Sequence, residues 1–238
     1  MIVQVFCLTT TSVANVFFSF FSVTFELFQL NERCDFVALV IGIIILNAFL
    51  PFFQMFKRIN EEKPEVLKKI VPIFGDITQQ NFGLSDEQLA KIIQESEIVF
   101  HMAASLKLEQ TLKFNVDMNL VGTKHAIDIC KQMPKLMVFI HLSTAFCTSD
   151  EPGTLYERVY DWAHDPKEIL RCNEWMDEAT MELIAPSLLG PHPNTYTYTK
   201  RLAELLVRSE ASSLPVCIVR PSIGKLLKTI KKDRLSLF

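Results

Sequence analysis

From residue 68 onward the chain repeats one unit: a short apolar run, a small or polar exit, then a stretch with helical spacing. The runs are 68–74 (KKIVPIF), 97–101 (EIVFH), 135–141 (KLMVFIH) and 215–219 (PVCIV). Runs this short, closed by turn residues, read as strands. Between the first two, Ser85-Asp86-Glu87-Gln88 forms a capping box ahead of Leu89, Ile92 and Ile93 at helical spacing. Residues 107–131 carry helical periodicity, and a helix is predicted from Tyr196 to about Ser212. Strands alternating with helices imply βαβ units: an α/β protein with a parallel sheet and right-handed crossovers. Ligands of such sheets bind beyond the carboxyl ends of the strands. The four exits are Gly75-Asp76, Ala103-Ala104, Ser143-Thr144 and Arg220-Pro221-Ser222, small or polar residues that leave room for a shared crevice.

Residues 194–200 read NTYTYTK. Alone, that alternation suggests a half-buried strand. However, Gly190-Pro191-His192-Pro193 isolates it, and the following KRLAELLVRS carries Leu202, Leu205 and Leu206 as a helical stripe. The stretch is therefore a helix start, with Tyr196 and Lys200 one turn apart on one face. A phenol with a pKa near 10 is a poor acid–base catalyst at neutral pH. A cation one turn away is expected to stabilise the phenolate and bring it toward the working range. Lys200 also suits the ribose hydroxyls of a nicotinamide cofactor. A hydroxyl from Thr144 or Ser143 would hold a carbonyl oxygen during hydride transfer. Tyr198, two residues before Lys200, points elsewhere and is assigned to packing.

Composition narrows the alternatives. The 238 residues suit one large domain or part of a larger protein. A net charge of -3 and the lack of a basic stripe with interleaved aromatics exclude a nucleic-acid binder. The six cysteines are scattered without a C-x-x-C pair, so neither a zinc site nor a disulfide framework is expected, and no metal. His101, His141 and His192 lack metal-ligand spacing and are assigned to satisfied polar roles. The acidic residues of 173–182 read as a solvated helix face. The mean hydropathy of +0.23 is high, and the excess sits at the N-terminus. Residues 36–56 hold no charge over 21 positions, with Asp35 before them and Lys57-Arg58 after, which allows a transmembrane helix.

Longer phrases carry a resemblance: KPEVLKKIVPIFGDI, IVFHMAAS, NLVGT around Asn119, FIHLSTAFC, CNEWMDEA, LLGPHPNTYTYTKRLAE and IVRPSIG. Over about residues 50–223 the chain resembles the extended short-chain dehydrogenase/reductases. More closely, it resembles the animal fatty acyl-CoA reductases of the alcohol-forming, male-sterility type. The resemblance implies a Rossmann-like doubly wound parallel sheet, here incomplete. It implies that Tyr196 gives a proton to the carbonyl, Lys200 lowers its pKa and binds the nicotinamide ribose, and Thr144, or its neighbour Ser143, is the catalytic hydroxyl. It sets Asp76 and Ile77 by the adenine, Ala103 and Ala104 along the diphosphate and ribose, and Asn119 in support from its helix. Arg220, Pro221 and Ser222 would flank the nicotinamide. The implied reaction reduces a long-chain acyl-CoA through an aldehyde to a primary alcohol, with two NADPH consumed. It implies membrane association, at the endoplasmic reticulum or peroxisome, with the catalytic part facing the cytosol.

Two departures bear on this. The family's T-G-x-x-G-x-x-G turn, which brings backbone up to the cofactor pyrophosphate, cannot be assembled from the seven glycines present. The basic residue that would meet the NADPH 2′-phosphate is also missing. The chain thus divides into an apolar segment 1–48, a partial NAD(P)-binding reductase domain 49–224 and a basic tail 225–238. It is expected to be a fragment with unrelated sequence at both ends and unpaired sheet edges. Two other readings stay open: a catalytically inactive membrane-anchored chain, and an extended dehydrogenase on another substrate. The insertion 151–190 offers Trp162, Leu170, Trp175 and Met176 either to an acyl-chain channel or to a lid packing on its own core.

Overall fold

The computed structural model describes residues 2–8, 37–43, 61, 64, 70–105 and 107–222. Six parallel strands form one sheet: β1 (Ile2–Leu8), β2 (Val37–Ile43), β3 (Ile70–Gly75), β4 (Ile98–His101), β5 (Val138–Leu142) and β6 (Val216–Val219). Their order is β3-β1-β2-β4-β5-β6. The last four strands fall where the apolar runs predict them.

The first two strands are a departure from the sequence expectation. They come from the apolar segment that had no assigned place, and they fill the sheet between β3 and β4. Val37–Ile43 (VALVIGI) pairs with β1 on one side and β4 on the other. A central parallel strand is apolar on both faces, so its composition matches that of a membrane span. The first part of the 36–56 run is thus a strand, and residues 44–56 lie outside the described residues. Among the described residues no helix is long and apolar enough to cross a membrane. The basic tail 225–238 also lies outside them. The usual doubly wound order is 3-2-1-4-5-6, so here the first two strands exchange places.

Helices α1 (Asp86–Glu95), α2 (Leu112–Val116), α3 (Gly122–Cys130), α4 (Pro166–Trp175), α5 (Glu178–Leu189) and α6 (Thr195–Glu210) follow β3 in chain order. The predicted capping box is present: Ser85 Oγ accepts from Gln88 N–H, and the Gln88 side chain accepts from Ser85 N–H. Between α2 and α3, Asp117–Val121 form a π-turn, so 112–130 is one helix with a wide turn inside it. Right-handed crossovers from β3 through β6 bring α1, α3 and α6 to one face of the sheet. Val99, Phe139, Ile92, Leu112, Ala126, Ile127, Leu202 and Leu206 pack there. Gly122 is required by close approach: a Cβ there would meet Ile77 Cγ1 at 2.7 Å.

The insertion is capped at each helix. Asp165 starts α4 and Asp177 starts α5, each accepting a backbone N–H. Glu182 is not simply a solvated residue; its carboxylate accepts from Leu112 N–H and caps α2. Trp162, Leu170 and Met176 pack against the core, while Trp175 is 71% exposed. The four do not converge on a channel, and the packing lid is the arrangement found.

Candidate active site

Asn194 caps α6, its side chain accepting from Thr197 N–H at 2.9 Å. The helix then presents Tyr196, Lys200 and Glu204 at four-residue intervals. The β5 exit brings Ser143 and Thr144 against this face. Thr144 opens the short 3-10 turn Ala145–Thr148, accepting from Phe146 N–H. Its hydroxyl also acts on the Tyr196 phenol, favouring the ionised form. Ser143 instead donates to Cys147 Sγ at 3.8 Å. Of the two candidate hydroxyls, Thr144 is the one that acts on the tyrosine.

The electrostatics differ from the sequence expectation. Burial pushes the Tyr196 phenol up to about 12, and the Thr144 hydroxyl opposes this only in part. Lys200 is not among the charges acting on it. The Lys200 ammonium is buried and turns to the end of β5, donating to Leu142 C=O at 2.8 Å. Burial lowers Lys200 to about 8, against the opposing pull of Cys147 and Glu204. A phenol held protonated remains a proton donor at neutral pH, so the acid role needs no depressed pKa.

Behind this pair runs a two-rung ladder that the sequence reading missed, apart from Asn119. Asn115 Nδ2 donates to Thr195 Oγ1 at 2.6 Å, and Asn119 Nδ2 donates to Thr199 Oγ1 at 3.0 Å. Both rungs step by four residues on both helices, so they fix α6 against the 112–130 helix. Asn119, on the π-turn, also accepts from Ser105 N–H at 2.8 Å and so anchors the β4 exit. The readable signal was N-x-x-x-N at 115–119 opposite T-x-x-x-T at 195–199. Arg201, equally missed, is 1% exposed. It pairs with Asp150 and Glu151 and stacks over Trp162 at 4.8 Å, fastening the insertion to α6.

The remaining predicted residues divide. Ala103 and Ala104 are buried at the β4 exit, beside β2. Asp76 turns into its own loop. Partial burial alone would raise it, but hydrogen bonds from Thr78 and Gln79 hold it below the usual carboxylate range. The Ile77 side chain is fully buried under α3 at Gly122, and its carbonyl meets His125 Nδ1 at 2.9 Å. The Arg220 guanidinium is committed to Glu204 and to Arg158 C=O. Only the Pro221 carbonyl reaches the site loop, accepting from Ala145 N–H at 3.0 Å; Ser222 is exposed. Tyr198 packs as expected, its hydroxyl 3.1 Å from His164 Nδ1. The histidines are not all satisfied. His101 Nε2 meets Thr123 Oγ1 at 3.0 Å, but both ring nitrogens of His141 and of His192 lack a hydrogen-bond partner. Among the described residues no cluster could hold a metal ion.

A nicotinamide cofactor fits part of this arrangement. The Lys200 ammonium has three N–H donors and its described hydrogen bond uses one, leaving capacity for ribose hydroxyls. Tyr196 and Thr144 would stand at the nicotinamide end and Ala103, Ala104 and Ser105 beside the diphosphate. No glycine turn is available for the pyrophosphate itself.

A sequence profile of an NAD-binding family, described as Male sterility protein, matches residues 48–224. Fatty acyl-CoA reductase 2 of Mus musculus is 39% identical over 170 residues, 71% of this chain and 33% of that protein. Fatty acyl-CoA reductase 1 of Homo sapiens gives the same identity and the same shares. This chain thus spans a third of the length of these curated relatives. The terminal R domain from the myxalamid PKS-NRPS biosynthetic pathway aligns with a TM-score of 0.55 at 18% identity, covering 92% of this chain and 48% of its own. Gre2 in complex with NADPH from Candida albicans aligns at 0.56 and 14%, covering 93% and 58%. These two likenesses carry the fold alone. With its β3–β6 half, its Tyr196–Thr144 pair and most of its length inside the matched region, the chain belongs to the male sterility protein family.

Proposed function

We propose that this chain carries the proton-donating part of a reductase that converts a long-chain fatty acyl-CoA through an aldehyde to a primary alcohol, consuming two NADPH. The observation that carries the reading is that α6, which bears Tyr196 and Lys200, meets the β5 exit that bears Thr144, with Lys200 Nζ on Leu142 C=O at 2.8 Å. A nicotinamide cofactor, when bound, supplies hydride to the carbonyl carbon. The residues do the rest. The Thr144 hydroxyl orients the carbonyl oxygen, and Tyr196 delivers its proton there. Lys200 offers its spare N–H groups to ribose hydroxyls. Support for acyl-CoA as substrate comes from the 39% identity to fatty acyl-CoA reductases. The preference for NADPH rests on the same resemblance. A membrane-proximal setting, at the endoplasmic reticulum or peroxisome and facing the cytosol, suits a product whose chain gains about 0.8 kcal/mol per buried CH₂ on leaving water.

A second reading, that of a chain inactive for want of cofactor affinity, has one observation in its favour: the missing glycine turn. Calorimetry with NADPH on the full chain separates the two. Micromolar binding, about -8 kcal/mol, together with acyl-CoA-dependent NADPH oxidation, supports the reductase. Tyr196→Phe is then expected to keep cofactor binding and lose roughly 100-fold or more in kcat. Absent binding would overturn the reductase reading.

A further inference from the structure

We propose that Asn173, in the insertion, is a positioning residue of this site: through Asp117 it holds the π-turn in the phase that aims the Asn119 amide at α6. Its catalytic meaning rests on the function proposed above.

The phrase CNEWMDEA spans residues 172–179 and has no part in the site described so far. Asn173, on α4, is buried, while Glu174 and Trp175 beside it are exposed. A buried amide needs hydrogen-bond partners. Both partners of Asn173 lie on the 112–130 helix, one turn apart. Its Nδ2 donates to Asp117 Oδ1 at 2.6 Å. Lys113 Nζ donates to the Asn173 backbone carbonyl and lies 3.5 Å from its Oδ1. Ile169, Met181 and Ala185 supply the insertion's apolar packing. Asn173 adds a directional contact that packing does not.

That contact falls where the helix changes spacing. The Asp117 N–H still donates four residues back, to Lys113 C=O. Its own C=O accepts from Gly122 N–H, five residues on. One extra residue in a turn rotates whatever follows by about 100° against a regular helix. The far side of the π-turn is fixed by Gly122 against Ile77, and the near side by Asn173 on Asp117. Asn119 stands between these two points. Its Nδ2 donates to Thr199 Oγ1 at 3.0 Å, and its Oδ1 accepts from Ser105 N–H at 2.8 Å. Thr199 directly precedes Lys200. The insertion therefore reaches the helix that bears Tyr196 and Lys200 through Asn173, Asp117, Asn119 and Thr199.

The test breaks the contact in the full chain and then rebuilds it in reverse. Asn173→Ala removes the amide, and Asn173→Asp sets one carboxyl against another. Asn173→Asp/Asp117→Asn restores a hydrogen bond with donor and acceptor exchanged, and Lys113 stands beside the new carboxylate. The readout is NMR of nitrogen-15-labelled asparagine, with the Asn119 side-chain amide assigned by its loss in Asn119→Asp. That signal is expected to move by more than its line width in both single variants and to return in the swap. In turnover the single variants lose roughly 10-fold or more in kcat, KM for NADPH stays within about twofold, and the swap recovers most of the loss. An Asn119 signal unmoved in both single variants overturns the assignment, as does a swap that leaves it displaced. A lower urea midpoint with kcat unchanged marks a merely structural contact and overturns it too. Should neither single variant fold, the swap decides alone: it must fold and place the Asn119 signal as in the wild type. The NMR needs neither cofactor nor substrate. A chain inert toward acyl-CoA would sink the proposed function, while the amide signal would still decide whether Asn173 positions Asn119.

Discussion

His101 and His141 face each other across β4 and β5, their rings 5.2 Å apart. Burial lowers His101 to about 3 and His141 well below its ordinary value, with Lys200 adding to both. The unfolded chain therefore binds more protons than the folded one below about pH 6.5. Stability is full above that pH and is lost progressively as pH falls toward 3, with a slope of at most about 1.4 kcal/mol per pH unit for each ring. Urea midpoints at pH 7.5, 6 and 5 should fall in that order, and His141→Phe should flatten the trend. At this scale the sequence was informative about spacing and silent about direction. Tyr196, Lys200 and Thr144 are named by their spacing and by the strand exit. That Lys200 turns to Leu142, or Arg220 to a glutamate 16 positions earlier, depends on the path of the backbone between them.

At the scale of elements, the Asn–Thr ladder and the Gly122 contact decide how the helices sit. Asn119→Ala removes one rung and leaves Ser105 N–H and the Thr199 hydroxyl without that partner, at a cost of about 1–3 kcal/mol. Gly122→Ala drives a methyl into Ile77, costing about 1–3 kcal/mol. Denaturant midpoints check both, and Gly122→Ala should not change the pH profile of activity. The late strands and α1, α3 and α6 were legible because each is a short periodic segment with its own start or stop signal. The π-turn was not, since nothing in DMNLV distinguishes five-residue spacing from four. Its effect falls on Asn119, the residue that joins the β4 exit to α6.

At the scale of the whole molecule, the sheet is where sequence reading met its limit. β1 lies outside the charge-free run 36–56, and β2 lies within it. The length of that run satisfies the test for a membrane helix, and an apolar central strand has the same composition. Only pairing between distant segments tells them apart, and one chain does not reveal pairing. The exchange of β1 and β2 relative to the usual order was invisible for the same reason. The insertion was legible as an extra element, but channel and lid both stayed open, because Trp162 meets Arg201 and His192 only after the chain folds back. That packing gives the molecule its own optical reporters. It has two tryptophans, one 71% exposed at the end of α4 and one held edge-on to His192, 4.9 Å between centroids. In a Trp175→Phe chain the remaining emission comes from Trp162 alone. A red shift on adding ligand would signal the insertion lifting away from α6, and constant emission would mean that ligand enters with the insertion in place.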